Sequence, residues 1–263
     1  MKRVIVISTC DLYGDCWKPL LLSFKQQWPD CPYPIYMITN NKDVDDEMVT
    51  TIKVGEHKGW GSNTKKALSQ IDCDYLLYLQ EDFFLVDKVN TDGVRENFEF
   101  CESNQVDYLR VMEPFKDNYP YQGNLSYCED AEVTLKFHKR ALNLMAVIWK
   151  KDALLKMCVE GWTGWDYERK NLTYLKENNI QLKKLVINSK VDNRLGLPVM
   201  ESTGIRKGLW TREGYEYLMR NGFVKEAHGR KVESHFITWC MKQTNPILQT
   251  PCAIIIRIIQ KFY

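Results

Sequence analysis

Tyr75 to Gln80 is an apolar run, Tyr-Leu-Leu-Tyr-Leu-Gln, that stops at two adjacent carboxylates, Glu81 and Asp82, and resumes at once as Phe83-Phe84-Leu85. Five successive apolar residues, Tyr75 to Leu79, suit a strand covered by helices on either side, the situation of a central strand in a parallel sheet. The carboxylates then emerge at the strand's carboxyl end, where open α/β sheets bind their ligands. A strand end that is merely solvated would explain the pair without function. Placed after a buried strand, however, it suits a hard cation and a phosphate.

The surrounding segments repeat the rhythm. Arg3–Ser8 is strand-like, Pro19–Trp28 reads as an amphipathic helix closed by Pro29, and Ile35–Thr39 is a second strand ending in Asn40 and Asn41. Thr50–Val54 is a short third strand, and Ser62 is placed to cap a helix running to about Gln70 ahead of Tyr75. Alternating β and α segments with short connections predict a parallel sheet. Val94–Glu102 reads as helix, Asp107–Met112 and Leu144–Trp149 as strands, and Lys151 to Val159 as helix. Residues 113–140, rich in Tyr, Pro, Asn and Gly, read as a binding loop facing the cleft. No repeat or linker divides the chain, which is expected to form a main domain over 1–200 with a lid and basic tail over 201–263 packed on it.

Composition excludes several classes. The chain has 263 residues, 44% of them hydrophobic and 27% charged, enough to bury a core. A formal net charge of +2 gives no footprint for nucleic acid. Charge is nevertheless concentrated: after Met200 there are ten Lys or Arg against five Glu. Nine cysteines, scattered and without a C-x-x-C pair, suit reduced thiols and a cytoplasmic protein, and argue against a zinc site. Val4–Ile7 is too short for a signal peptide or a membrane span. The absence of G-x-G-x-x-G after the first strand, and of a P-loop, argues against dinucleotide oxidoreductases and P-loop NTPases.

The apolar strand ending in Gln80-Glu81-Asp82, after a first strand that stops at Ser8-Thr9-Cys10-Asp11, resembles the nucleotide-sugar-dependent glycosyltransferases of the GT-A fold superfamily. That resemblance implies a three-layer α/β/α sandwich with a mostly parallel sheet and a basic helical C-terminal extension. It also implies transfer of a sugar from a nucleotide diphosphate donor, usually UDP-linked, to a saccharide or glycolipid hydroxyl in surface polysaccharide assembly. In the superfamily an Asp-x-Asp motif at this strand end holds the metal and the donor diphosphate. Here Gln80 replaces the first Asp, so Asp82 is the expected ligand of Mg²⁺ or Mn²⁺, with Glu81 bonding to the donor nearby.

Other segments extend the resemblance. Gly59-Trp60-Gly61-Ser62-Asn63-Thr64-Lys65 corresponds to a donor-binding loop and helix, which makes Asn63 and Lys65 donor contacts; a glycine turn with a Ser cap is the plain alternative. Thr9, Asp11 and Asn40, just beyond the first two strands, are expected at the base and ribose, although short polar residues there also serve turns. Gly204-Ile-Arg206-Lys207-Gly208 resembles the basic loop that closes over the diphosphate, with Arg206 and Lys207 neutralising phosphate oxygens.

Gly161-Trp-Thr-Gly-Trp-Asp166-Tyr-Glu168 looks like the late acidic motif of inverting members, where a carboxylate deprotonates the acceptor. Thr163 and Asp166 approximate a capping box, which gives Asp166 a structural occupation and tilts the choice of base toward Glu168. An acidic first helical turn needs no catalysis to explain it. His228 and His235 read as surface or packing residues. Ala253–Tyr263, apolar with Arg257 and Lys261, either packs on the body or lies on an anionic membrane beside a lipid-linked acceptor. Two rivals stand beside the transferase. A sugar-nucleotide-forming nucleotidyltransferase would carry a glycine-rich basic loop after its first strand, and a non-catalytic carbohydrate-binding protein would not need buried carboxylates.

Overall fold

The computed structural model describes residues 1–112, 124–129, 133–135, 138–140, 142–227 and 229–242. Most of the 113–140 loop, His228 and the 253–263 tail lie outside the described residues. The elements run β1 (Arg3–Ser8), α1 (Gly14–Gln27), β2 (Ile35–Thr39), β3 (Val49–Lys53), α2 (Trp60–Leu68), β4 (Tyr75–Gln80), α3 (Thr91–Ser103) and β5 (Tyr108–Arg110). They continue with β6 (Tyr127–Glu129), β7 (Val133–Leu135), β8 (His138–Arg140), β9 (Val147–Lys150), α4 (Lys151–Met157), α5 (Gly164–Glu177) and β10 (Lys184–Ile187). The last are β11 (Ile205–Arg206), β12 (Leu209–Trp210), α6 (Arg212–Arg220) and α7 (His235–Lys242).

An eight-stranded sheet, ordered β3-β2-β1-β4-β9-β5-β10-β6, forms the middle layer. Along β1, Ile5 and Ile7 point into a core shared with α1, α3 and α6, while Val4 and Val6 point into a core shared with α2, α4 and α5. Because both faces are covered, β4 is apolar at every position from Tyr75 to Leu79 and all five residues are buried. The chain thus adopts the expected three-layer α/β/α sandwich.

The sheet is mixed. β1 pairs in parallel with β2 and β4, β2 with β3, and β5 with β10, but β9 runs antiparallel between β4 and β5 and β6 antiparallel to β10. The chain crosses from β1 to β2 on one side and then returns to place β4 on the other. Ser8 therefore faces Gln80 in register at a reversal of strand order, where an α/β sheet opens a crevice.

Some boundaries move. α1 begins at Gly14 and keeps Pro19 inside it, so the expected start at Pro19 was late. α2 begins at Trp60 with Gly59 before it, and Ser62 is not its cap: its hydroxyl accepts the Gly161 amide at 3.0 Å. The C-terminal extension is not purely helical, since β11 and β12 form a hairpin. Its two turn residues, Lys207 at φ 51° and Gly208 at φ 83°, both have positive φ, as a type I′ turn requires.

Candidate active site

The carboxyl ends of β1, β2 and β4 lie side by side, and the segment after Val199 folds back over them. Tyr217 on α6 stacks on Phe84 at 5.1 Å and donates its hydroxyl proton to the Leu85 carbonyl at 2.8 Å. Gly204 sits so close that a Cβ there would come within 2.8 Å of the Asp82 carbonyl oxygen.

Asp82 is buried and belongs to this closure. Its Oδ2 accepts the Ile205 amide at 2.9 Å and the Thr203 hydroxyl. Burial pushes its carboxyl above the ordinary carboxylate range, opposed by these two hydrogen bonds. Glu81, half-buried beside it, takes no hydrogen bond from another residue within the described structure. Burial, and then the Asp82 anion, raise it well above its usual value, with Arg230 as the opposing charge.

A cleft of ≈ 580 Å³ is lined by neither Glu81 nor Asp82, but by Arg230, whose charge acts on both. One wall is Asp11, Leu12, Gly14 and Asp15 with Lys42; the other is Lys207–Leu209 with Gly229, Arg230 and Lys231. Four of the lining residues are cationic and two anionic, and both anions are occupied. The Asp11 carboxylate accepts the amides of Asn40 at 2.9 Å, Asn41 at 3.0 Å and Lys42 at 3.2 Å. Asp15 is paired with Arg230 at 2.7 Å. Cationic side chains thus outnumber anionic ones on the lining, four to two, a balance that suits an anionic ligand.

Arg230 has no counterpart in the residues singled out from sequence. The local signal for it is the basic Gly229-Arg-Lys triplet, yet nothing local marks its partner. It reaches Asp15 with two hydrogen bonds and lies 4.5 Å from the Tyr13 ring centre. The Tyr13 hydroxyl is pushed up to about 12 by burial first and by Glu81 second.

The other expected donor residues have internal partners. Thr9 accepts the Trp17 indole N–H at 2.8 Å, and Asn40 both accepts the Asp11 amide at 3.2 Å and donates to the Gly55 carbonyl at 3.0 Å. Asn63 is buried, accepts the Lys58 amide at 3.2 Å and lies 3.0 Å from His57 Nδ1. Lys65 is exposed on α2. Arg206 is absent from the cleft lining and pairs at 3.1 Å with Glu233, which is 1% exposed and also takes the Thr238 hydroxyl at 2.9 Å. Lys207, by contrast, lines the cleft.

The first turn of α2 packs against the start of the late acidic segment. The Gly61 amide donates to the Trp162 carbonyl at 3.0 Å, and the Trp60 ring lies 4.7 Å from Tyr167. This contact carries Gly164–Glu177 to the same edge of the sheet, on the face bearing α2. Thr163 and Asp166 form a complete capping box, and Asp166 is also 2.9 Å from Lys170. The Thr163 hydrogen bonds, then Lys170, hold the Asp166 carboxyl well below its usual value, which makes it a poor proton acceptor near neutrality. Glu168 is half-buried two residues on, and Trp165, three residues before it on α5, is 60% exposed.

No group of three His, Cys, Asp or Glu is placed to hold a metal among the described residues, and no described helix is long and apolar enough to cross a membrane. No family model matches the chain, and no curated protein matches it. Among solved structures it is similar to S. aureus TarS 1-349 in complex with UDP-GlcNAc, with 16% identity over 89% of this chain and 68% of that one and a TM-score of 0.45. It is similar to CMP:2-keto-3-deoxy-manno-octonic acid synthetase complexed with CTP, with 11% identity over 71% and 90% and a TM-score of 0.44. A third is the mannosyltransferase PcManGT from Pyrobaculum calidifontis with GDP-Man and Mn²⁺, at 9% identity over 57% and 45% and a TM-score of 0.40. Against another structure of S. aureus TarS, the chain spans 35% of that chain's length.

Proposed function

We propose that this chain transfers a sugar from a nucleotide diphosphate-sugar, UDP-linked, to a saccharide or glycolipid hydroxyl in surface polysaccharide assembly, with inversion. One observation carries the proposal: two adjacent carboxylates, Glu81 and Asp82, follow a buried central strand at the reversal of strand order, within electrostatic reach of Arg230 on the lining of a cation-rich cleft. A phosphate-bearing donor and a hard cation are the ligands this combination suits.

Mg²⁺ or Mn²⁺ fits these residues. Glu81 is a half-buried carboxylate with no hydrogen-bond donor from another residue within the described structure, and its charge is disfavoured by burial and by Asp82. Two carboxylates are few for an all-protein cage but sufficient for an ion whose remaining ligands are phosphates and waters. Because Asp82 Oδ2 is taken up by Ile205 and Thr203, Glu81 joins Asp82 as a candidate ligand. When bound, such an ion offsets negative charge on the departing diphosphate.

Lys42, Lys207 and Lys231 face the same phosphates from the cleft walls. Thr9, Asp11 and Asn40 serve the donor by fixing the turns beyond β1 and β2. Glu168 takes the proton from the acceptor hydroxyl, the task for which Asp166 is held too acidic. Trp165 offers an apolar face to the acceptor.

The test is a panel of nucleotide sugars incubated with purified protein, Mg²⁺ or Mn²⁺ and oligosaccharide acceptors. Release of nucleoside diphosphate with growth of the acceptor is expected. Release of pyrophosphate from a nucleoside triphosphate and a sugar phosphate would instead make the chain a nucleotidyltransferase. Sugar binding with neither product would make it a carbohydrate-binding protein.

A further inference from the structure

The two walls of the cleft are fixed in different ways. On the β1 side, the Asp11 carboxylate is bound by three successive amides beyond β2, which ties that turn to the sheet. The opposite wall, the β11–β12 turn with Gly229–Lys231, is anchored at its base through Thr203 and Ile205 on Asp82. Glu233 braces it internally, accepting from Arg206, Thr238 and, at 3.4 Å, the Arg212 amide.

Across the mouth the walls meet at Arg230. Its Nε donates to Asp15 Oδ2 at 2.7 Å, and its Nη2 donates to Asp15 Oδ1 at 3.0 Å and to the Leu12 carbonyl at 2.7 Å. Nη1 donates to the Gly208 carbonyl at 3.3 Å, within its own wall, and the guanidinium lies over the Tyr13 ring. The side chain is 12% exposed. A planar fork used in this way is spent on the protein, and Lys42, Lys207 and Lys231 stand around it on the cleft lining.

We infer that Arg230 is a positioning residue, whose clasp on Asp15 and Leu12 holds the Lys207 and Lys231 wall against the β1 turn, so that a phosphate-bearing ligand meets cations already assembled. The inference rests on the cleft being the anion site of the proposed function. Preassembly matters because ordering a cationic loop at the moment of binding subtracts from affinity.

Cys16 supplies a readout that needs no ligand. It follows Asp15 on α1 and is fully buried, so it reacts with a thiol reagent only when its surroundings open. Cys101, fully buried on α3, reports opening of the core in general. Iodoacetamide labelling followed by peptide mass mapping should show Cys16 reacting about tenfold faster in Arg230→Ala and Asp15→Asn with Cys101 unchanged, the factor equivalent to about 1.4 kcal/mol of lost clasp. Arg230→Lys, which keeps the charge and loses the fork, should fall between, and it reports if Arg230→Ala does not fold. Inorganic pyrophosphate should bind Arg230→Ala about tenfold more weakly than wild type in calorimetry. Cys16 labelling that stays at the wild-type rate, or that rises in step with Cys101, overturns the clasp. Failure of wild type to bind pyrophosphate counts against the donor reading, and the thiol rates still decide the clasp.

Discussion

Asp82 Oδ2 accepts the backbone amide of Ile205 at 2.9 Å, across 123 positions of sequence, and the hydroxyl of Thr203 binds the same oxygen. The acidic end of β4 is thereby a fastening point for the C-terminal segment as well as a candidate for metal and donor. Structural and functional roles of Asp82 are separable by substitution.

Asp82→Ala leaves the Ile205 amide and Thr203 hydroxyl without their acceptor in a buried setting, at a cost of about 1–3 kcal/mol. Asp82→Asn keeps an acceptor oxygen and should cost less. Urea denaturation of both variants measures the fastening. Calorimetry with a nucleotide sugar and Mn²⁺ measures the other role: if Asp82→Asn keeps cation-dependent binding and Glu81→Gln loses it, the ion belongs to Glu81.

For Glu81 the expected signature is a pH dependence of stability. Its proton is held more tightly in the folded protein, because burial and Asp82 disfavour the charge. Between the ordinary value of 4.5 and the raised one, the folded state carries more protons than the unfolded chain. Stability therefore falls as pH rises through that window, and the penalty is complete above it. Glu81→Gln should be more stable than wild type at about pH 8, with the difference vanishing at about pH 4. Thermal unfolding at the two pH values checks it; equal shifts at both would remove burial of the charge as the cause.

Gly61→Ala should loosen the contact between α2 and α5. A Cβ at Gly61 would stand 2.1 Å from the Val159 carbonyl oxygen, a backbone atom that cannot swing aside. Relief by backbone movement is expected to cost about 1–3 kcal/mol. A lowered melting temperature, with Trp60 fluorescence altered, is the measurement. An unchanged melting temperature would mean that the first turn of α2 and the segment after α4 adjust freely.

Glu168→Gln and Asp166→Asn should separate catalysis from capping. Asp166→Asn loses the low-lying carboxylate of the capping box and lowers stability near neutral pH while retaining transfer. Glu168→Gln should bind donor normally and lose transfer. Initial rates and donor affinity of the two variants decide it, and the base would be Asp166 if the outcomes exchanged.

Much of this protein is legible one segment at a time. Apolar character fixed β1, β2 and β4 at their observed bounds, because a strand covered on both faces has to be apolar throughout. The Thr163–Asp166 box is equally local, since cap and partner lie three residues apart. Ser62 shows the limit of the same approach. It has the right chemistry for a cap, but its hydroxyl meets Gly161, 99 positions away, and α2 starts before it.

The sequence alone determined the layered α/β architecture and brought a carboxylate pair to the end of a central strand, since both follow from periodicity and from side-chain type. Only the tertiary structure decided what surrounds that pair. Arg230 pairs with Asp15 across 215 positions, and Arg206 turns from the cleft to the buried Glu233. Such pairings depend on which charges the folded chain leaves without water, and burial is a property of the assembled layers rather than of any segment read by itself.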